Sequence, residues 1–281
     1  MSLSLDVTLL VLLAALMHAS WNAIAKSATV TLLDIATMAV AAAALCAVII
    51  PFLPLPAPAA WPWLAGSVLL HFLYFVALVG AYESGELSHA YPLMRGLAPM
   101  LVALAGVTFF NENLTSAIWS GVVLICGGVL LPFWMQRASF GRPGRGTLFA
   151  LSNAVIIAGY TLVDGMGTRL SASPVAYCLW LFLFDAVPIT AWAFARHGAG
   201  MRDYMRKRWR AGALGGLLTI GSYGIVLWAM TRAPIAAVAA LRETSVIFAA
   251  LIGALVLREA FGPARVAGAV LVACGIAVLR L

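Results

Sequence analysis

The chain has 281 residues, of which 64% are hydrophobic and only 10% charged, with a mean hydropathy of +1.03 and a net charge of +7. An ordinary soluble domain carries about 25% charged residues and still exposes much of its surface to water. The composition therefore excludes a cytosolic enzyme, a disordered regulator and a secreted disulfide scaffold, and leaves an integral membrane protein in which about ten spans of roughly 20 residues fill the chain.

In chain order, the first apolar run covers 6–26. No basic segment precedes it and no clear cleavage site ends it, so a retained helix is expected. On it His18, Asn22 and Lys26 share a face at i, i+4 spacing, with Trp21 beside them. The second run, 31–53, is divided from the third, 60–82, by Pro51, Pro54, Pro56 and Pro58, and the third carries His71 and Tyr74. The fourth, 87–110, follows a turn flanked by Glu83 and Glu86. It contains Pro92 and Pro99, sets Tyr91 one turn from Arg95, and ends at Asn111, Glu112 and Asn113. After the fifth run, 115–135, comes a polar, Gly-rich stretch with three arginines, the natural midpoint linker. The chain thus divides into a first half at 1–136, a linker at 137–145 and a second half at 146–281.

The sixth run, 146–168, has Asn153, Tyr160 and Asp164 on one face, and the seventh, 174–195, holds Asp185. The eighth, 210–231, carries Ser222 and Tyr223; the ninth, 234–257, carries Arg242 and Glu243; the tenth is 263–280. Backbone polar groups cannot be left unpaired in lipid, so the spans are helices or strands of a closed barrel. Barrel strands alternate apolar and polar residues. These runs do not alternate, so an all-α fold of ten transmembrane helices is expected. Cys46, Cys126, Cys178 and Cys274 lie inside apolar runs without metal-ligand spacing and read as packing residues.

Laying residues 81–131 on 228–278 without a gap gives identities that include Arg95/Arg242, Glu112/Glu259, Gly121/Gly268 and Gly128/Gly275. The charged matches are the informative ones in so apolar an alphabet. The copies lie five helices apart, an odd number, so the two five-helix halves have opposite orientations in the membrane. Inverted repeats with a site at their interface are a transporter architecture. Connections on one side of the membrane hold twelve Lys and Arg residues, the other side with the termini only three, Arg169, Arg232 and Arg280. The positive-inside rule then sets both termini outside the cytoplasm. On a soluble chain such a basic excess would suggest nucleic acid; between apolar runs it reads as an orientation signal and a contact with anionic lipid. No nucleic-acid partner is expected.

Ionisable residues inside spans are costly and carry a functional hypothesis. Arg95 and Arg242 each lie about 12 Å into their helices, entering from opposite sides. Either can hold a carboxylate or phosphate through two parallel hydrogen bonds, or pair with Glu243 and lock two helices together. Glu243 could neutralise an arginine, bind a substrate ammonium or carry a proton, with ion pairing the first expectation. His18 and His71 read as hydrogen-bonded packing residues or as substrate contacts. A pocket walled by Trp21, Tyr74, Tyr160 and Tyr223, with His18, Asn22, His71 and Asn153 among them, has the chemistry of a small-molecule site.

Three segments carry a resemblance. Residues 18–26 read HASWNAIAK, residues 90–99 read AYPLMRGLAP, and residues 241–249 read LRETSVIFA. With ten helices and a five-plus-five repeat, the chain resembles the EamA type of the drug/metabolite transporter superfamily over its whole length. It departs in one place: the connection at 51–61 has no charge, where several members have basic residues and cytoplasmic termini. The resemblance implies alternating access around a central cavity in a bacterial-type inner membrane. It also implies export of small metabolites, with amino acids of large apolar or aromatic side chains first; separately, the chain is expected to act as a monomer. The substrate site would comprise His18, Trp21, Asn22, His71, Tyr74, Tyr91, Arg95, Asn153, Tyr160, Tyr223, Arg242 and Glu243.

The alternatives are another metabolite or drug on the same fold (a sugar phosphate, a nucleotide-sugar-like or a cationic compound) and, further off, a channel. An intramembrane aspartyl enzyme built on Asp164 and Asp185 is set aside, because neither sits in the Gly-rich motif of such proteases. No cofactor motif is visible, neither a Walker A run nor a Gly-rich nucleotide turn.

Overall fold

The computed structural model describes residues 3–26, 28–83, 87–136, 144–256 and 262–281, with the side chains at 26, 82–83, 87–91, 136 and 253–256 left aside. The linker segment 137–143 and Glu259 lie outside the described residues. Among the described residues there are helices and no strand. They are α1 (Leu5–Lys26), α2 (Thr31–Ile49), α3 (Trp61–Glu83), α4 (Leu87–Phe110), α5 (Ser116–Gln136), α6 (Arg145–Leu170), α7 (Pro174–His197), α8 (Gly200–Met230), α9 (Ile235–Arg242), α10 (Ser245–Val256) and α11 (Pro263–Leu279). Among the described residues, nine spans are long and apolar enough to cross a membrane, with α9 and α10 joined in one of them. The 17-residue α11 is the tenth, about 25 Å long at helical rise.

The turns follow from residue chemistry. Pro51 and Pro58 open short 3-10 helices at Ile50–Phe52 and Pro58–Ala60, since proline lacks the N–H that would continue α2. Asn111, with φ 52°, ends α4, and Gly198, with φ 54°, makes the sharp turn from α7 to α8. Ser173 caps α7 by accepting from the Ala176 N–H at 3.2 Å, with Pro174 behind it.

Two expectations need correction. The eighth run starts earlier than its apolar stretch: Gly200 to Arg210 is already helical. Its Arg208 makes hydrogen bonds of 3.0 Å to both carboxylate oxygens of Asp34, with Tyr204 a third donor, and so ties α8 to α2. The ninth run is not one helix. It breaks at Glu243 and Thr244, where the Thr244 hydroxyl donates to the Leu241 carbonyl at 2.9 Å and the backbone tightens to i, i+3 bonds. A local hydroxyl competing for a helix carbonyl bends or interrupts the ladder. The broken span lies deep in the protein, with every residue from Ile235 to Ser245 buried.

The two halves are inverted repeats. A Cβ placed on Gly128 would stand 2.6 Å from the Gly268 carbonyl oxygen, and one on Gly275 would stand 3.0 Å from that of Gly121. The repeat maps 121 to 268 and 128 to 275, so each of these contacts is the image of the other, and α5 crosses α11 antiparallel about the symmetry axis. Three further packings follow the same exchange. α3 on α6 becomes α8 on α1, α2 on α8 becomes α7 on α3, and α4 on α6 becomes the broken span on α1.

Small residues permit this close backbone approach. Gly268→Val should therefore cost about 1–3 kcal/mol or more, because a backbone carbonyl cannot move aside as a side chain would. Gly127→Ala, whose Cβ would meet nothing within 4 Å, should be near neutral. Thermal unfolding of the purified protein in detergent checks the pair; equal melting temperatures would refute the axis.

Candidate functional site

The halves enclose a central cavity. Its wall is made by α1 (His18, Trp21), α2 (Ile35, Met38, Ala39, Ala42), α3 (His71, Tyr74, Phe75), α6 (Tyr160), α7 (Phe182, Asp185, Ile189), α8 (Thr219, Ser222, Tyr223) and Arg242 at the end of α9. The space, counting its open mouth, is about 810 Å³. Most of the α1, α2 and α3 contributions come from the helix parts nearer the α1–α2 and α3–α4 connections.

On the opposite face, with the termini, a polar cluster ties the halves together. Glu112 pairs with Arg169 at 3.1 Å and accepts from the backbone N–H of Ile235 at 2.9 Å. Arg169 donates in turn to the carbonyls of Met230 at 2.8 Å and Ala233 at 3.0 Å. A carboxylate at the N-terminus of α9 complements the helix dipole there. Glu112 and Arg169 thereby join the α4–α5 connection of one half to α6, α8 and α9 of the other.

Aromatic rings dominate the wall. His71 stacks on Tyr160 with centroids 4.3 Å apart, and Tyr74 meets the same ring edge-on at 5.7 Å. Tyr223 stands edge-on to His71 at 5.7 Å, and Trp21 contacts His18 at 5.1 Å. Helical spacing explains the grouping on α6, where Tyr160 and Asp164 are one turn apart on one face. Behind Tyr160, Asp164 accepts hydrogen bonds from Tyr177 at 3.0 Å and from Tyr223.

The two repeat-related arginines have different surroundings. Arg95 is spent on an ion pair: its Nε lies 2.8 Å from Oε2 of Glu243, and its Nη2 donates to Ser245 Oγ at 3.2 Å. This pair bolts α4 to the break between α9 and α10. Arg242 is 3% exposed, lines the cavity, and lies 6.0 Å over the Tyr160 ring. Its Nε has no hydrogen-bond partner, and among the described residues no carboxylate pairs with it. A guanidinium so placed can present its planar fork to an entering carboxylate.

Of the residues expected at the site, His18, Trp21, His71, Tyr74, Tyr160, Tyr223 and Arg242 are brought together on one wall. Arg95 and Glu243 stand behind it as a pair. Asn22 points its amide back to the His18 carbonyl at 2.8 Å, and the buried Asn153 amide donates to Met94 Sδ at 3.1 Å; neither lines the cavity. The side chain of Tyr91 lies outside the described residues.

The sequence reading left out Asp185 and the α2 wall. Asp185 had a signal, an acid in the middle of an apolar run, but was weighed only as half of a protease dyad. The α2 residues Ile35, Met38, Ala39 and Ala42 are plain apolar side chains, which leave no mark in a hydrophobic run.

The model of the EamA-like transporter family matches residues 7–134 and, a second time, residues 144–281. Among solved structures, a crystal structure of a protein shares the fold with a TM-score of 0.70 at 20% identity, over 97% of this chain and 94% of that one. No curated protein matches the chain.

Proposed function

Since the chain belongs to the EamA-like transporter family, a family of multi-pass membrane transporters, we propose that it exports amino acids with large apolar or aromatic side chains. The observation that carries this reading is Arg242, a buried guanidinium on the cavity wall with no ion-pair partner among the described residues. It would take the substrate carboxylate. Asp185, on the same wall, would take the ammonium, and Tyr74, Phe75, Tyr160, Phe182 and Tyr223 would enclose the side chain.

Transport would proceed by alternating access. The Glu112–Arg169 cluster would close one face while the cavity is reached from the other, and opening that cluster would reverse the access. By the positive-inside rule the accessible face is cytoplasmic and both termini lie outside, in a bacterial-type inner membrane. The halves 1–136 and 146–281, joined through 137–145, would rock as monomeric machinery in contact with anionic lipid. The reading is of a carrier and not an enzyme, with no cofactor.

A second reading, a cationic metabolite or drug without a carboxylate, is favoured only by Asp185. A sugar phosphate or nucleotide sugar would need both arginines free, and Arg95 is paired.

Counterflow into proteoliposomes preloaded with single amino acids tests the proposal. Saturable exchange of Phe, Tyr, Trp, Leu or Met is expected. No exchange of any amino acid by folded protein would overturn the amino-acid assignment, and unsaturable flux would indicate a channel.

A further inference from the structure

The cavity wall holds titratable side chains that carboxylate anchoring leaves unused. His71 stands between two acids: its Nε2 lies 3.9 Å from Oδ2 of Asp164, and its Nδ1 lies 3.9 Å from Oδ2 of Asp185. Nδ1 is also 3.1 Å from the Ser67 carbonyl oxygen and 3.0 Å from the Ser67 hydroxyl, which can donate or accept.

The two acids are served differently. Asp164 has two phenol donors, Tyr177 and Tyr223. Asp185 is 5% exposed, and its Oδ1 has no hydrogen-bond partner. His71 of α3 stands 3.9 Å from it, Asp164 of α6 and Tyr177 and Cys178 of its own helix lie within electrostatic reach, and Tyr223 of α8 and Arg242 of α9 share its cavity wall. α2 puts only apolar side chains on the cavity wall.

A bare carboxylate in such a place is costly. A proton on the carboxyl relieves it, and so does a cation in the cavity, but the two exclude each other. We propose that Asp185, backed by His71 and Asp164, is a proton site that competes with the cationic group of the substrate, so that the carrier exchanges one proton for one substrate. The inference rests on the proposed function only for the substrate's ammonium group. As the ammonium arrives, the O–H bond of Asp185 breaks, the proton passes to cavity water, and an ammonium–carboxylate pair forms. Nothing is oxidised or reduced. On the other face the ammonium leaves and a proton from water restores the carboxyl. His71 stands 3.9 Å from the carboxylate while it is charged, with Asp164 3.9 Å from the other ring nitrogen.

The test uses the full chain in liposomes, with L-phenylalanine as one probe and 2-phenylethylamine, an ammonium without a carboxylate, as the other. At zero membrane potential, a gradient of one pH unit should drive about tenfold accumulation of L-phenylalanine on the acidic side, as one-for-one exchange requires. In weak buffer, binding of either probe should release about one proton per protein. In Asp185→Asn both the accumulation and the release should vanish.

L-phenylalanine exchange that ignores the pH gradient and releases no proton would overturn the proton site and leave the amino-acid reading standing. Proton release by 2-phenylethylamine without any binding of L-phenylalanine would support the proton site and sink the amino-acid reading. Should Asp185→Asn fail to fold, the wild-type accumulation and proton release decide the matter alone.

Discussion

Arg242→Gln should abolish tight substrate recognition while leaving the protein folded. Truncating one partner of a buried, hydrogen-bonded charge pair costs 2–5 kcal/mol, so the half-saturating concentration of L-phenylalanine in counterflow should rise on the order of 100-fold. Arg242→Lys should recover only part of this, because an ammonium cannot present the planar two-point fork of a guanidinium. Stability should move the other way. Arg242 is buried without an ion-pair partner among the described residues, so its removal orphans no charge, and the melting temperature should hold or rise. A melting temperature that falls by several degrees, with the affinity of the residual folded protein unchanged, would make Arg242 a structural residue and refute its placement as an anchor.

The repeat-related arginine should behave in the opposite manner. Arg95→Met leaves Glu243 as a buried carboxylate with its 2.8 Å partner gone. Breaking a buried pair from one side costs about 3–5 kcal/mol, because an uncompensated charge remains. The double variant Arg95→Met, Glu243→Gln removes that charge and should recover most of the stability. Thermal or denaturant unfolding of the four proteins of this cycle measures the coupling. Additive effects of the two substitutions would show that the pair is not a unit, and the contrast between the arginines would collapse.

That contrast marks the limit of what could be read from the residues alone. The scarcity of charge made Arg95 and Arg242 stand out, and the offset that aligns them also aligns the glycines at which α5 and α11 meet. Ten spans, their helical nature and the inverted halves were all legible, because each rests on composition, run length or parity. Which arginine is paired was not legible. Glu243 neighbours Arg242 in the chain, yet its side chain reaches Arg95 across α4, and only the tertiary path of the span decides this. The interruption at Glu243 and Thr244 was hidden for a related reason: the run stays apolar across it, and the Thr244 hydroxyl acts on a carbonyl three residues back without changing hydropathy. The α2 wall was invisible because a cavity-facing alanine and a lipid-facing alanine are the same letter. Asp185 was visible and given the wrong context, since its isolation is a property of its neighbours on α3, α6 and α8.

The most direct test of the account asks whether the substrate occupies this cavity. Ala39 lines it from α2, opposite no charge of its own helix. In a chain whose Cys46, Cys126, Cys178 and Cys274 are replaced by alanine, Ala39→Cys gives one thiol on the wall. Its rate of modification by a small methanethiosulfonate reagent would be followed with and without saturating L-phenylalanine. The account predicts that the amino acid slows labelling several-fold, with half-protection at the concentration that half-saturates counterflow. Labelling that proceeds at an unchanged rate while counterflow runs normally would place the substrate elsewhere and contradict the site.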